Sequence, residues 1–197
     1  MTIILASTSK ARRALLANAG IAFEAVASPI DERAVEAPLL EAGVPPSEIA
    51  QALADAKALG VSVHSPGALV IGSDQVLDLD GERFVKPVDL ADAGRQIARL
   101  AGRPHHLRSA VTLARDGVVL WRHLDTATLT MRPLDQAAIE RYLAAAGDDI
   151  LWSVGGYMLE GVGIQLFSAI EGDYFSILGL PLLPLLGALR DLDAISN

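Results

Sequence analysis

The sequence has no cysteine among its 197 residues, and this absence excludes a whole group of sites. Disulfide frameworks, zinc–thiolate centres and cysteine nucleophiles all need a thiol, so a bound metal must have oxygen or histidine ligands. Aromatic residues are also scarce, at 5% of the chain, whereas 51% of the residues are hydrophobic. The composition therefore predicts a core built from Leu, Ile, Val and Ala, and it excludes low-complexity disorder.

The chain has fewer positive than negative residues: 16 Lys and Arg against 24 Asp and Glu, which gives a net charge of −8. Such a chain lacks the general attraction to phosphate backbones on which nucleic-acid binding depends, so we expect no nucleic-acid partner. We expect no membrane association either, since the longest apolar stretch, 177–189, is shorter than about 20 residues and contains two prolines. Residues 1–6 are typical of a first strand and not of a signal peptide, which favours a cytoplasmic enzyme.

Strand-like and helix-like segments alternate along the chain, which predicts an α/β fold without internal repeats or linkers. The expected strands cover 2–6, 68–72, 126–131 and 163–168, with hairpin turns at 80–81 and 116–117. The expected helices cover 10–19, 47–59, 89–100 and 135–146, and a last helix begins near Pro181. We predict Ser9 and Ser47 as N-caps and Gly20 and Gly60 as helix stops.

The first strand–turn–helix is the strongest local feature of the sequence. The hydroxyls of residues 7–9 and the cations Lys10, Arg12 and Arg13 fall within seven residues that contain no acid. Together with the N–H groups of a helix start, they predict an anion pocket. The spacing lacks the glycines of a P-loop, so P-loop chemistry is disfavoured. The alternative is an ordinary capped helix with solvated arginines.

Lysine and aspartate positions supply further candidates. The chain has only three lysines, Lys10, Lys57 and Lys86, against thirteen arginines, so these positions favour a compact ammonium. Asp74 follows the apolar run 68–72, at the expected carboxyl end of a strand, where open α/β sheets bind ligands. A carboxylate there can hold Mg²⁺ or orient a water molecule. The alternatives are surface lysines and an aspartate in a simple strand-exit turn.

A series of short motifs occurs in one order over nearly the whole chain. They are the segments 5–9, 12–13, 31–32, 56–58, 71–76, 86–87, 160–161, 170–174 and 178–182. Together they resemble the Maf family of nucleoside triphosphate pyrophosphatases, once described as septum-formation inhibitors. The resemblance implies one Maf-like domain over residues 1–197. It also implies an elongated, two-lobed α/β fold with a mixed, curved sheet flanked by helices and a central cleft.

The resemblance also implies the reaction and its residues. The activity would be metal-dependent hydrolysis of the α–β phosphoanhydride of a nucleotide, with Mg²⁺ or Mn²⁺ as the cofactor. The products would be a nucleoside monophosphate and pyrophosphate. By position, Asp74 would be the proton acceptor, and Glu32 and Asp74 would hold the metal. The other catalytic residues would be Glu32, Lys57 and Lys86, and the phosphate-binding residues would be Ser7, Ser9, Arg12 and Arg13.

Substrate choice within the family would depend on Ala11, Gln75 and Glu160. Ser73-Asp74-Gln75 and the segment 160–163 are similar to the subgroup that cleaves 7-methyl-GTP. A carboxylate at Glu160 can accept both the N1–H and the 2-amino hydrogens of guanine, whereas a uracil or thymine edge offers one donor. Lys10-Ala11 stands where the family has Pro-Trp, so a stacking aromatic is absent there.

Three hypotheses follow for the function. The first is a pyrophosphatase whose partner is a nucleoside triphosphate, 7-methyl-GTP or another modified nucleotide. The second is a nucleotide-binding regulator of cell division with little or no turnover. The third is a plain phosphate-binding or sugar-phosphate-binding α/β domain with no preference among bases. Self-association as a homodimer stays open.

Overall fold

Helices and strands alternate in the computed structural model, which describes residues 1–196. The strands are β1 (Ile3–Leu5), β2 (Glu24–Ala25), β3 (Leu69–Leu79), β4 (Glu82–Phe84), β5 (Pro104–Arg115), β6 (Val118–Met131) and β7 (Phe167–Glu171). The α-helices are α1 (Lys10–Asn18), α2 (Glu32–Glu41), α3 (Pro46–Ser62), α4 (Leu90–Leu100), α5 (Gln136–Ala146), α6 (Tyr174–Ile177) and α7 (Leu182–Asp191). Three 3₁₀ helices cover Gly147–Trp152, Val154–Gly156 and Val162–Leu166.

The seven strands form one mixed sheet in the order β2-β1-β3-β5-β6-β7, with β4 paired to β3. β1 runs parallel to both β2 and β3, and Leu5 lies opposite Ile71. β3 and β4 are antiparallel, as are β6 and β7. The predicted α/β class and mixed sheet are therefore confirmed. Within the described residues, no helix is long and apolar enough to span a bilayer.

The chain groups into two compact units. The first unit comprises Met1–Gln75, Arg108–Asp125 and the described residues from Asp173 onward, and the second comprises Val76–Leu107 and Thr126–Gly172. In the first unit, the main buried cluster brings together residues of β1, α1, β3, β5 and α7, and its buried members are all Leu, Ile, Val or Ala. In the second unit, α4 contacts α5 and buries Ala93, Ile97 and Leu100. The predicted aliphatic core is confirmed.

The β3 strand is longer than the sequence predicts, and this changes the place of Asp74. The expected strand 68–72 continues to Leu79, so Asp74 lies inside β3 and not in a strand-exit turn. Gly72, Ser73 and Asp74 are residue types that favour turns, but here the polar side chains find partners on both faces of the strand, which continues through them. The strand ends at the predicted hairpin, where Asp80 and Gly81 have φ values of 53° and 84°.

Other boundaries also differ from the prediction. α3 begins after Pro45, so Ser47 is not its N-cap, and the helix continues through Gly60 to Ser62. The expected strand 163–168 was misplaced, because Val162–Leu166 is a 3₁₀ helix and the strand is β7, whose residues pair with β6. The short helices α2 and α6 were not predicted. α2 contains Pro38 in its interior, where proline disfavours a helix, and it buries no residue fully.

Candidate active site

The first turn of α1 is built by two serine hydroxyls. Ser9 is the N-cap, as predicted, and its Oγ accepts a hydrogen bond from the backbone N of Arg12 at 3.4 Å. The Oγ of Ser7 accepts from the backbone N of Ser9 at 3.2 Å. These bonds hold the turn after β1 in one conformation. Lys10 and Arg13 are exposed on this turn, which leaves their charges in contact with solvent.

The Arg12 side chain is tied to the protein at three points. Its Nε donates to the backbone oxygen of Gly179 at 2.8 Å, and its Nη1 donates to the backbone oxygen of Ser73 at 2.9 Å. Nη1 also lies 3.4 Å from the Ser7 Oγ. Removal from water lowers the pKa of Arg12, and the negative charges of Asp74 and Glu32 oppose that shift. The guanidinium keeps its charge, since arginine does not lose its proton in proteins.

Lys57 lies between two carboxylates. Its Nζ is 2.6 Å from Asp74 Oδ1 and 2.9 Å from Glu32 Oε1. Lys57 and Asp74 are both buried, whereas the Glu32 side chain is 55% exposed. The contact between Lys57 and Asp74 is therefore a buried ion pair, and Glu32 borders it on the solvent side.

A close approach of α3 to β3 makes this ion pair possible. A Cβ at Gly72 would lie 2.3 Å from the backbone oxygen of Ala54 and 2.5 Å from the backbone nitrogen of Ala58. Only glycine lets the two backbones come so near. The approach brings Lys57, on α3, within reach of Asp74, two residues beyond Gly72 on β3.

The structure brings five of the predicted site residues into contact in two groups: Arg12 with Ser7, and Lys57 with Glu32 and Asp74. Arg12 also donates to the backbone oxygen of Ser73, the residue before Asp74, and the negative charge of Asp74 acts on its guanidinium. The predicted residues of the first unit are Ser7, Ser9, Ala11, Arg12, Arg13, Glu32, Lys57, Asp74 and Gln75.

Gln75 points away from Asp74. Neighbouring residues of a strand face opposite sides of the sheet. The Gln75 Nε2 contacts the backbone oxygens of Ser176 and Ile177 at 3.0 Å each and the Ser109 Oγ at 2.9 Å. Lys86 and Glu160 belong to the second unit, where both are exposed. The roles expected for all of the predicted site residues stay predictions.

The oxygen ligands present fit a magnesium-type ion. Among the described residues, no three His, Asp or Glu side chains form a metal-binding group. The carboxylates of Glu32 and Asp74 nevertheless both contact the Lys57 ammonium, so they are close together. Mg²⁺ is commonly bound by one or two carboxylates, with water and substrate phosphates as its other ligands. Two carboxylates are therefore the ligands that the protein would supply to such a site.

Some residues that shape the site had no role in the prediction. Ser73 and Gly179 occur in the motifs, but only the structure shows that both of their backbone oxygens bind Arg12. Gly72 occurs there too, and its function is the close packing of α3. A glycine directly before a polar triplet in an apolar strand is the one signal that could have indicated a close approach.

Comparisons with known proteins show which proteins this chain is similar to. A family model described as "Maf-like protein" matches residues 2–192. A 7-methyl-GTP pyrophosphatase of Rhizobium johnstonii is 58% identical over 195 residues, which cover 99% of this chain and 98% of that protein. A 7-methyl-GTP pyrophosphatase of Brucella abortus is 57% identical over 188 residues, or 95% and 94% of the two chains. A nucleoside triphosphate pyrophosphatase of Rhodopseudomonas palustris is 52% identical over 189 residues, or 95% and 92%.

Proposed function

This chain belongs to the Maf-like protein family, and from that premise we propose that it is a nucleoside triphosphate pyrophosphatase. The reaction is hydrolysis of the α–β phosphoanhydride, which yields a nucleoside monophosphate and pyrophosphate. The observation that supports it best is the buried Asp74 carboxylate, 2.6 Å from the Lys57 ammonium and next in the chain to the residue that holds Arg12. A carboxylate that can orient water thus lies close to cations that can bind phosphate.

The chemistry explains why both kinds of group are needed. A triphosphate carries about four negative charges, and cleavage concentrates charge on the departing pyrophosphate. Cationic donors that are already in place stabilise this charge with little reorganisation. We assign this role to Arg12, Arg13 and Lys57, with Lys86 as a further cation and with the turn at Ser7 and Ser9 shaping the phosphate-binding surface.

Asp74 is the proposed proton acceptor. A carboxylate within hydrogen-bond reach orients the attacking water and takes up its proton as the bond to phosphorus forms. The Lys57 ammonium fixes Asp74 Oδ1, so the other oxygen is the one we assign to water. The buried position of Asp74 keeps the carboxylate in one orientation.

Glu32 and Asp74 are the residues that we propose to hold a divalent cation, Mg²⁺ or Mn²⁺. When bound, such an ion neutralises phosphate charge and polarises the anhydride. Lys57 contacts both carboxylates and keeps them near each other before the ion arrives. Exposure of Glu32 to solvent gives the ion a path to the site.

For the substrate we propose 7-methyl-GTP or a similar modified purine nucleotide. Two of the relatives described above carry that substrate in their names. Glu160 is the proposed base-recognising residue, because its carboxylate can accept both hydrogens of the guanine edge. Ala11 and Gln75 are the other proposed determinants of specificity. We also propose the cytoplasm as the place of action.

A nucleotide panel tests this proposal. With Mg²⁺ or Mn²⁺, the purified protein should release pyrophosphate from 7-methyl-GTP faster than from GTP, UTP or dTTP. Asp74→Asn should reduce release by roughly 10²–10⁴-fold, while the exposed control Asp148→Asn stays near wild type. Glu160→Gln should lower the preference for 7-methyl-GTP over UTP.

Other results would point elsewhere. Nucleotide binding without turnover in the wild-type protein would favour the regulator of cell division. Binding that is equal for all bases, and unchanged in Glu160→Gln, would favour a plain phosphate-binding domain.

A further inference from the structure

A tight turn in the second unit carries Glu160. We define it as the 158–161 turn, and the backbone N of Gly161 closes it by donating to the backbone oxygen of Met158 at 3.3 Å. Glu160 is exposed, whereas its neighbour Leu159 is buried. One carboxylate therefore reaches solvent from a turn that is itself attached to the core of the unit.

The residue before the turn, Tyr157, is held by a buried aromatic cluster. Its hydroxyl lies 2.8 Å from the Nε2 of His105 on β5. Its ring packs edge-on against Phe167, at the start of β7, with 4.9 Å between the ring centroids. Tyr157 is 3% exposed and His105 is fully buried, so water has no access to the hydrogen bond between them. Loss of either partner therefore leaves a buried polar group unpaired.

Contacts to the backbone fix the chain on both sides of the turn. Before the turn, the hydroxyl of Tyr142 on α5 donates to the backbone oxygen of Gly156 at 3.1 Å. Gly156 has a φ of 71°, and a Cβ there would lie 3.0 Å from the Cβ of Ala93. After the turn, a Cβ at Gly163 would lie 2.4 Å from the backbone oxygen of Met158. The chain thus packs closely at both places, and only glycine permits this.

We propose that the 158–161 turn is held by positioning residues that set the choice of base without touching the nucleotide. They are His105, Tyr142 and Tyr157, and all three are buried. This inference rests on the proposed function, in which Glu160 recognises the guanine edge, and deepens it. A carboxylate accepts two parallel hydrogen bonds only when it is aligned with both donors. A base with one donor depends less on this alignment, so a looser turn should weaken recognition of guanine more than that of uracil.

Tyr157→Phe tests the proposal, since it removes the hydroxyl and keeps the ring. We expect kcat/KM for 7-methyl-GTP to fall by roughly fivefold, while kcat/KM for UTP stays near wild type. The ratio of kcat/KM between the two nucleotides should therefore fall by the same factor. His105→Phe removes the other partner of the hydrogen bond, keeps an aromatic ring and should act in the same direction. If Tyr157→Phe lowers kcat/KM for both nucleotides alike, or for neither, the proposal is wrong.

Two controls separate positioning from a general loss of stability. Ile139→Val removes one methylene from the buried face of α5 in the same unit. It should lower the melting temperature and leave the ratio of kcat/KM unchanged. Tyr174→Phe removes the hydroxyl of an exposed tyrosine in the first unit and should change neither quantity. If Ile139→Val changes the ratio as much as Tyr157→Phe does, selectivity follows stability and the proposal fails.

A double-mutant cycle tests the route through Glu160. In Glu160→Gln the side chain no longer accepts both hydrogens of the guanine edge, so its placement matters less. In that background Tyr157→Phe should change the ratio of kcat/KM between 7-methyl-GTP and UTP by less than about twofold. A further loss as large as the one in the wild-type background would contradict the proposal.

Amide hydrogen exchange, followed by NMR in ¹⁵N-labelled protein, gives a readout without any nucleotide. The Gly161 N–H closes the 158–161 turn, and we expect its exchange to be faster in Tyr157→Phe and His105→Phe by about fivefold or more. In Ile139→Val it should match the wild-type rate. Unchanged exchange in the first two variants would overturn the positioning role. If the wild-type protein hydrolyses no nucleotide, the proposed function fails, whereas this measurement still decides whether His105 and Tyr157 hold the turn.

Discussion

At the scale of single residues, the site depends on a lysine that faces two acids. The Lys57–Asp74 pair is buried, and such a pair contributes little net stability compared with two apolar side chains. Loss of one partner has a much larger effect, because the other charge then stays buried without compensation. The proposed chemistry gives a reason for this pair that stability alone does not, and stability depends on keeping both partners.

Variants of Lys57 test this coupling. Lys57→Met should lower the free energy of unfolding by about 3–5 kcal/mol, since it leaves the Asp74 charge buried and unpaired. Lys57→Met/Asp74→Asn should be more stable than Lys57→Met, because the buried charge is removed as well. Urea unfolding of the three proteins measures both differences.

The control for Lys57 is a surface ion pair. Arg95 and Asp92 form an (i,i+3) pair on α4 in which the arginine is largely exposed. Arg95→Met should change the free energy of unfolding by less than about 1 kcal/mol. A double variant less stable than Lys57→Met would show that Asp74 does not carry an uncompensated charge in the single variant.

At the scale of elements, the packing of α3 on β3 decides whether the site forms. Gly72 lies against the backbone of α3, where a Cβ would stand 2.3 Å from the Ala54 oxygen. Neither backbone can move without moving the residues that it carries, Lys57 on α3 and Asp74 on β3. Stability and activity should therefore respond together to a change at this position.

Gly72→Ala tests this dependence. The added methyl group must push the helix from the strand, and we expect a loss of roughly 3 kcal/mol or more in the free energy of unfolding. Pyrophosphate release should also fall, because the displaced Lys57 no longer orders Asp74. Thermal unfolding and a turnover assay below the melting temperature measure the two effects.

Gly187→Ala in α7 is the matched control. A Cβ at Gly187 would meet nothing within 4 Å. Because alanine favours helices over glycine, this variant should be stabilised by up to about 1 kcal/mol, with activity unchanged. A Gly72→Ala protein as stable and active as wild type would contradict the close approach.

At the scale of the whole molecule, the second unit should make stability depend on pH. His105 is fully buried, and its Nε2 lies 2.8 Å from the Tyr157 hydroxyl. Burial, with a smaller contribution from the positive charge of His106, lowers the pKa of His105 from 6.5 to about 4. The imidazole is therefore neutral in the folded protein at neutral pH.

The sign of the pH dependence follows from linkage. Between about pH 6.5 and 4 the unfolded chain binds a proton at His105 and the folded chain does not, so the free energy of unfolding falls as the pH falls. Between pH 7 and pH 5 we expect the free energy of unfolding to fall by about 2 kcal/mol because of this one residue. Urea unfolding of wild type and of His105→Gln measures it, and the variant should lose less stability over this range.

His64→Gln is the control for this experiment, since His64 is exposed. It should follow the wild-type pH dependence. If His105→Gln loses as much stability between pH 7 and pH 5 as wild type does, the buried neutral histidine does not account for the effect.

How far the site could be predicted differs from residue to residue. The N-cap at Ser9 and the hairpin at Asp80-Gly81 were predicted correctly, because each depends on residues within a few positions. The place of Asp74 was wrong in one respect: it lies inside β3 and not at a strand exit. Strand length depends on pairing with other strands, and one neighbour of β3 in the sheet is β5, which follows in the chain only after α4.

The sequence by itself determined the α/β class, the aliphatic core and the kinds of chemistry available: acids, cations and hydroxyls without thiols. These follow from composition and from periodicities that act over a few residues. Only the tertiary structure decided which of these groups meet. Arg12 binds the oxygens of Ser73 and Gly179, which are 61 and 167 positions away. Such contacts depend on the packing of the whole chain, because burial and hydrogen bonding act between neighbours in space.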